Sequence, residues 1–197
     1  MTAHRDDDPT MAEPMRIEGR AVVLRDFTID DLDETMTIVG DERVTRWLSF
    51  DVMTRARQED ALLGVLARAQ MVPRSEYYLA VTERDSNVFA GFARLGLNGV
   101  RAAKLGYAIR YDLHGRGLAT DAARSLVGFG FTALKLHRIS SAIGPDNLAS
   151  IRVAEKLGMV HEGRIRDHVF TNGAWRDSKL YAILEHEWPR GVDVPSR

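Results

Sequence analysis

Cysteine is absent from the 197-residue chain. That excludes a disulfide framework, a thiolate metal site and a cysteine nucleophile. Long apolar runs are missing too: none approaches the roughly 20 residues that a membrane helix requires. Nor is one sign of charge in excess, since 27 Lys and Arg face 28 Asp and Glu for a formal charge of −1. No general basic field advertises a nucleic acid, and a polyanionic partner would need a local patch. The six histidines are scattered, with no H-E-x-x-H or paired ligand spacing, which argues against a metal hydrolase. G-x-S-x-G is also missing, which argues against a serine hydrolase. The opening residues Met1 to Asp8 have neither an apolar core nor a cleavage pattern, so no export signal is expected. The expectation is a cytoplasmic protein with no metal, no nucleic-acid partner and no membrane partner.

What the chain does have is a glycine-rich turn, Tyr111-Asp112-Leu113-His114-Gly115-Arg116-Gly117-Leu118-Ala119-Thr120, between a short apolar strand and a long helix. Glycines one residue apart let the backbone turn tightly and bring its N–H groups around a small concavity. The helix expected over Leu118–Lys135 points its positive end into that concavity, and Arg116 adds a full charge between the glycines. The combination makes a site for a phosphate or pyrophosphate. Thr120 stands where a dinucleotide fingerprint would need its third glycine, and G-x-x-x-x-G-K-[ST] occurs nowhere. His114 to Ala119 instead resembles the Q/R-x-x-G-x-G/A signature of the GNAT N-acetyltransferases, which hold the pyrophosphate of acetyl-coenzyme A there. Gly117 and Ala119 match, and His114 takes the place usually held by Gln or Arg.

A second segment extends the resemblance. Arg138–Ile143 reads as a buried strand, followed by a helix from about Asp146 to Met159 with Asn147 near its cap and Gly158 just past its end. Asn147 and Ser150 are three apart, so both polar groups share one face of the first turn. Spacing alone favours the plain reading, in which Asn147 caps the helix and Ser150 fills a polar first-turn position; the flanking motif reverses that preference. Asn-x-x-Ser followed by Val153-Ala154-Glu155-Lys156-Leu157-Gly158-Met159 resembles the second signature of the superfamily, and more narrowly its RimJ/RimL-like branch. Glu162-Gly163-Arg164, Asn172 to Asp177 and Tyr181 to Leu184 continue that pattern, so the likeness spans about residues 17–184.

Periodicity and turn residues predict a strand over Ile17–Asp26 and a helix from Thr28 to about Val39. Residues 41–51 read as a connection, and 59–70 as a second helix. Strands follow over Tyr77–Glu83, Val88–Leu97 and Lys104–Arg110, with turns at Asp85-Ser86-Asn87 and Asn98-Gly99. A last pair, Val160–Phe170 and Trp175–Leu184, is joined at Asn172-Gly173. Residues 1–14 and 189–197 read as loose polar tails around a single domain over 15–188. This order suits an α/β layer fold around a mixed sheet. The resemblance implies a mostly antiparallel central sheet flanked by helices, with a splayed parallel strand pair at the cofactor site.

The resemblance also implies roles. Acetyl transfer needs a donor for the thioester oxygen, and the family takes it from a backbone N–H of the strand before the glycine turn, here at Ala108 or Ile109. The cofactor would be held by Ala108, Ile109, Gly115, Arg116, Gly117, Leu118, Ala119, Thr120 and Asn147. Asn147 would bond the pantetheine arm, and Ser150 would donate to the leaving sulfur. Glu162, Asp167, His168 or water is left as the base. Trp47 and Phe50 would line one wall of an acceptor groove or anchor helices in the core, with Trp175 and Tyr181 as the other wall. The acceptor is a primary amine: a protein or peptide N-terminus, or alternatively a small-molecule amine or antibiotic. A non-catalytic acyl-coenzyme A sensor is the other alternative. Exposed edge strands near the last hairpin raise the expectation of a homodimer.

Overall fold

The structure, a computed structural model, describes residues 14–189. The expected terminal tails lie outside the described residues except for Pro14 and Pro189. Eight strands form one sheet in the order β1-β2-β3-β4-β5-β6-β8-β7. They are β1 (Arg16–Glu18), β2 (Val22–Asp26), β3 (Glu76–Glu83), β4 (Phe89–Leu97), β5 (Ala102–Ile109), β6 (Arg138–Ile143), β7 (Val160–Thr171) and β8 (Ala174–Leu184). Five helices accompany them: α1 (Leu32–Val39), α2 (Glu42–Thr45), α3 (Arg55–Ala69), α4 (Leu118–Thr132) and α5 (Leu148–Lys156).

Side-chain alternation places helices on both faces of the sheet. Leu79, Val81, Ala93 and Ile109 join a core shared with α4 and α5. Their neighbours Ala80, Phe92 and Ala108 join a second core with α1 and α3. Every strand pair is antiparallel except β5·β6, whose crossover runs through α4. That parallel ladder covers only Ala102–Lys104 against Arg138–Ser140. Beyond it the strands part.

The single strand expected over Ile17–Asp26 is a hairpin, with Arg16 opposite Arg25. The chain folds back because Gly19 N–H donates to Val22 O (2.8 Å). Asp121 at the start of α4 then accepts from the amides of Ala21 (2.8 Å) and Val22 (3.2 Å). A Cβ on Gly19 would sit 2.6 Å from that carboxylate. The expected helix from Thr28 divides into a 3-10 turn, Ile29–Asp31, and α1. The supposed connection 41–51 holds α2, whose first turn is capped by the Asp41 side chain accepting from Arg43 N–H. The helix placed over 59–70 starts earlier, at Arg55, with Thr54 as its cap, and α4 ends at Thr132 rather than Lys135.

One irregularity positions the site. Between β3 and β4 the register passes from Val81↔Gly91 to Thr82↔Phe89, leaving Ala90 as an extra residue. Such a bulge bends its strand and presses it on the neighbour. A Cβ on Gly91 would fall 2.1 Å from the Ala108 carbonyl oxygen and 2.9 Å from Ile109 Cα. Both are backbone atoms that cannot rotate away. Gly91→Ala should therefore cost about 1–3 kcal/mol or more, seen as a lower urea midpoint at unchanged slope. An unaltered midpoint would contradict this close approach.

Candidate active site

The parting of β5 and β6 leaves one edge of β5 without a strand partner. Three hydrogen bonds show which residues face it. Asn98 N–H donates to Ala102 O (2.8 Å) and Arg110 N–H to Ala90 O (2.8 Å), so the even-numbered residues of β5 pair with β4. His114 Nε2, by contrast, lies 2.9 Å from Ile109 O. Backbone N–H and C=O of one strand residue point the same way, so Ile109 and Tyr107 aim their amides at the open edge. Ala108 aims its amide at β4. Of the two expected donors only Ile109 is therefore correctly turned, and Ala108 contributes its place on the cleft wall. His114 does not reach out as a long Gln or Arg would. It folds back and donates to the Ile109 carbonyl, masking a negative dipole beside the free N–H.

A cleft of about 1100 Å³ opens at this edge. The glycine turn lies along it, with Gly115 at φ 79° and Gly117 at φ 82°, the left-handed region that glycine alone adopts readily. Gly117 is the N-cap of α4 and no side chain caps the helix. The first-turn amides of Leu118, Ala119 and Thr120, all on the cleft wall, are thus left for an incoming anion. A Cβ on Gly115 or Gly117 would meet nothing within 4 Å, so it is the backbone conformation that calls for glycine at both places. Arg116 corrects the sequence expectation. Its guanidinium pairs with Glu83 on β3 at 2.6 Å, and the residue does not line the cleft. The anion site is made of backbone, not of that side chain.

Across the cleft stands the first turn of α5. Asn147 caps it, its side-chain oxygen accepting from Ser150 N–H at 3.1 Å. Asn147 and Ser150 both face the cleft. Tyr107, which sequence reasoning passed over, donates its hydroxyl to the Ser150 carbonyl at 3.2 Å. Burial pushes that phenol up to about 12, so it stays protonated and bridges the open edge of β5 to α5. Its place two residues before Ile109, on the same edge, is the sequence signal that points to it.

The part of the cleft expected to take the acceptor lies between α2, α3 and the last hairpin. Trp47, Leu48, Phe50 and Met53 line it, with Trp47 36 % exposed and the other three half-buried. Glu76 sits there between Arg68 and Arg94, the latter at 2.6 Å. Burial opposes its charge, but the two guanidinium hydrogen bonds prevail and hold its carboxyl below the usual range. The other expected wall is not formed by Tyr181 or Trp175. Tyr181 is buried in the main core with its ring 5.1 Å from His161. Trp175 packs on Phe170 at the exposed end of the hairpin. Arg176 does that work indirectly, donating to the carbonyls of Arg46 (2.5 Å) and Leu48 (2.6 Å).

Two of the three candidate bases stand away from the cleft. Glu162 is bound to Arg138 (2.7 Å), which lowers its carboxyl. Asp167 occupies a β7 irregularity at φ 46° and donates its N–H to Asp177 (2.9 Å). His168 does line the cleft, with Nδ1 2.9 Å from Ser178 Oγ. Among the described residues no group of three or more His, Asp or Glu is placed to hold a metal ion, and no helix is long and apolar enough to cross a membrane.

The model of the acetyltransferase (GNAT) domain matches residues 21–160. The chain belongs to the GNAT family. It resembles an uncharacterized N-acetyltransferase, YnaD of Bacillus subtilis, at 26 % identity over 88 % of this chain and 99 % of that protein. The [ribosomal protein uS5]-alanine N-acetyltransferase of Escherichia coli is 30 % identical over 59 % of this chain and 62 % of that one. Among solved structures, Mycobacterium smegmatis RimJ in complex with CoA-disulfide superposes with a TM-score of 0.77 at 25 % identity, covering 92 % and 90 % of the two chains. The protein is thus an N-acetyltransferase of the RimJ/RimL-like kind that uses acetyl-coenzyme A. Left-handed glycines, an uncapped helix start and a free strand edge on one cleft fit that cosubstrate.

Asn147 has a structural duty that can be measured without any ligand. Asn147→Ala should lower stability by about 1 kcal/mol through the lost cap, whereas Asn147→Asp should keep it. Urea unfolding of both variants decides. Equal midpoints for Ala and wild type would show that the cap is not needed.

Proposed function

We propose that this acetyltransferase modifies the α-amine of a protein or peptide N-terminus by direct attack, acting in the cytoplasm. One observation carries the reading: Glu162 and Asp167 stand away from the cleft, and Glu76, which lines it, is already engaged. Glu162 is tied to Arg138, and Glu76 is held low by two arginines. A low carboxyl pKa makes a weak base. The acceptor must then arrive neutral largely by its own chemistry. An α-amine, with pKa about 7.7–8.0, does so far more readily than lysine near 10.4. The kinship with a ribosomal-protein alanine N-acetyltransferase supports the same class.

Acetyl-coenzyme A supplies a thioester, whose acetyl group passes to the amine nitrogen as the C–S bond breaks. The amides of Leu118 to Thr120 and the positive end of α4 hold its pyrophosphate. The Ile109 N–H, unpaired on the open edge, donates to the carbonyl oxygen where charge develops. Ser150 donates its hydroxyl to the departing sulfur, and Tyr107 fixes the turn that carries Ser150. The amine gives up its proton to water, or to His168 at the cleft wall.

With a peptide bearing a free α-amine, kcat/KM should rise with pH and level off near 8. The same peptide with a blocked terminus and an internal lysine should be at least about tenfold slower at pH 7.5. Ser150→Ala should reduce kcat by about tenfold or more while leaving acetyl-coenzyme A affinity within about twofold. A lysine side chain or a free polyamine turned over faster than the α-amine would contradict the acceptor assignment.

A further inference from the structure

We propose that the acceptor arm selects a peptide N-terminus with an acidic side chain close behind its α-amine, and that Arg46 reads this acidic group. The proposal rests on the α-amine assignment above and adds the charge of the residues that follow. Arg46 ends α2 at the cleft wall. Its guanidinium lies over the Trp47 ring, 4.9 Å from the centroid. Stacking of this kind orients the planar fork without consuming its N–H donors. Nearby Arg43 also stacks, 4.2 Å over Tyr111, but Asp41 neutralises it at 2.6 Å. Among the described residues Arg46 has no carboxylate within 4 Å. Its charge is left for what enters the cleft.

The backbone beneath Arg46 is held rather than loose. Arg176 on β8 binds the carbonyls of Arg46 and Leu48, and Asn172 N–H at the hairpin turn donates to the Asp51 carboxylate at 2.8 Å. Both ends of the segment carrying Arg46 and Trp47 are thereby fixed to the β7–β8 hairpin. The rest of the arm favours the same sign. With Arg43 neutralised by Asp41, three arginines line it, Arg46, Arg68 and Arg94, against the carboxylates Asp60 and Glu76, and Glu76 is bound between two of those arginines. An acidic side chain finds a preset partner here, and a polycation meets repulsion. Arg46 and Trp47 are exposed at the mouth whereas Leu48, Phe50 and Met53 are half-buried. The group read by Arg46 is accordingly displaced from the reacting amine, as the second or third residue of a peptide would be.

The test compares three otherwise identical hexapeptides with free α-amines, carrying Asp, Asn or Lys at positions two and three. They are assayed at saturating acetyl-coenzyme A with wild type, Arg46→Ala, Arg46→Lys and Arg46→Glu. The wild type should prefer the Asp peptide over the Lys peptide by about tenfold in kcat/KM, the effect of one charge-assisted contact. The preference should shrink with added salt. Arg46→Lys should retain part of it, Arg46→Ala should bring the ratio close to one, and Arg46→Glu should invert it. Because Arg176 binds the backbone of residue 46, these substitutions leave the clamp in place, and thermal melts verify folding. Equal turnover of the three peptides by wild type, or an unchanged ratio in Arg46→Glu, overturns this inference while the α-amine assignment stands. Turnover of a small amine such as spermidine with none of the peptides accepted overturns both.

Discussion

The rest of the structure depends on the early end of one parallel ladder. β5 and β6 pair over three residues each and then diverge, so the amides of Tyr107 and Ile109 face an edge with no strand beside it. Backbone donors away from water are costly when unpaired. The surrounding fold makes the divergence tolerable and useful. The bulge at Ala90 and Gly91 presses on Ala108 and Ile109 from one side. On the other, the Tyr107 hydroxyl spans to the Ser150 carbonyl, and His114 closes off the Ile109 carbonyl. What stays open is a donor facing a cleft.

The same divergence divides the cleft by chemistry. One arm ends in backbone amides at the start of α4, which attract phosphate through dipole and geometry. Arg116 is occupied by Glu83 and leaves that arm to its backbone. The other arm is walled by aromatic and aliphatic side chains and by arginines whose charges are only partly cancelled. In the proposed reaction the amine and the thioester meet between the two, with the strand edge as donor and Ser150 on α5 beside it. Helices on both faces bury two separate cores, so the cleft walls rest on rigid packing rather than on loops alone.

Local chemistry made much of this legible in the sequence. Gly115 and Gly117 with the helix after them, and Asn147 with Ser150, signal their geometry within a few residues, and the Asn172-Gly173 hairpin does likewise. Long-range partners hid the remainder. Arg116 looked like a phosphate ligand because Glu83 lies far off in the chain. Glu162 looked free because its partner Arg138 is 24 residues away. Arg176 carried no signal, since the carbonyl it holds at Arg46 is 130 residues earlier. Tyr181 has the composition of a wall residue, but the β6·β8 register turns it into the core opposite Ser141. The short α2 went unseen because four residues are too few to show a period.

The central claim is that the glycine turn and the open edge of β5 together bind acetyl-coenzyme A. The most direct test is the melting temperature with and without this ligand, for wild type and for Gly117→Asp. Ligand at about 100 times its dissociation constant should add roughly 2.7 kcal/mol. For a domain of this size that is on the order of 5–10 °C in the wild type. In Gly117→Asp the shift should nearly vanish, because a carboxylate then occupies the anion site. No wild-type shift at millimolar ligand, or an equal shift in the variant, would contradict the account.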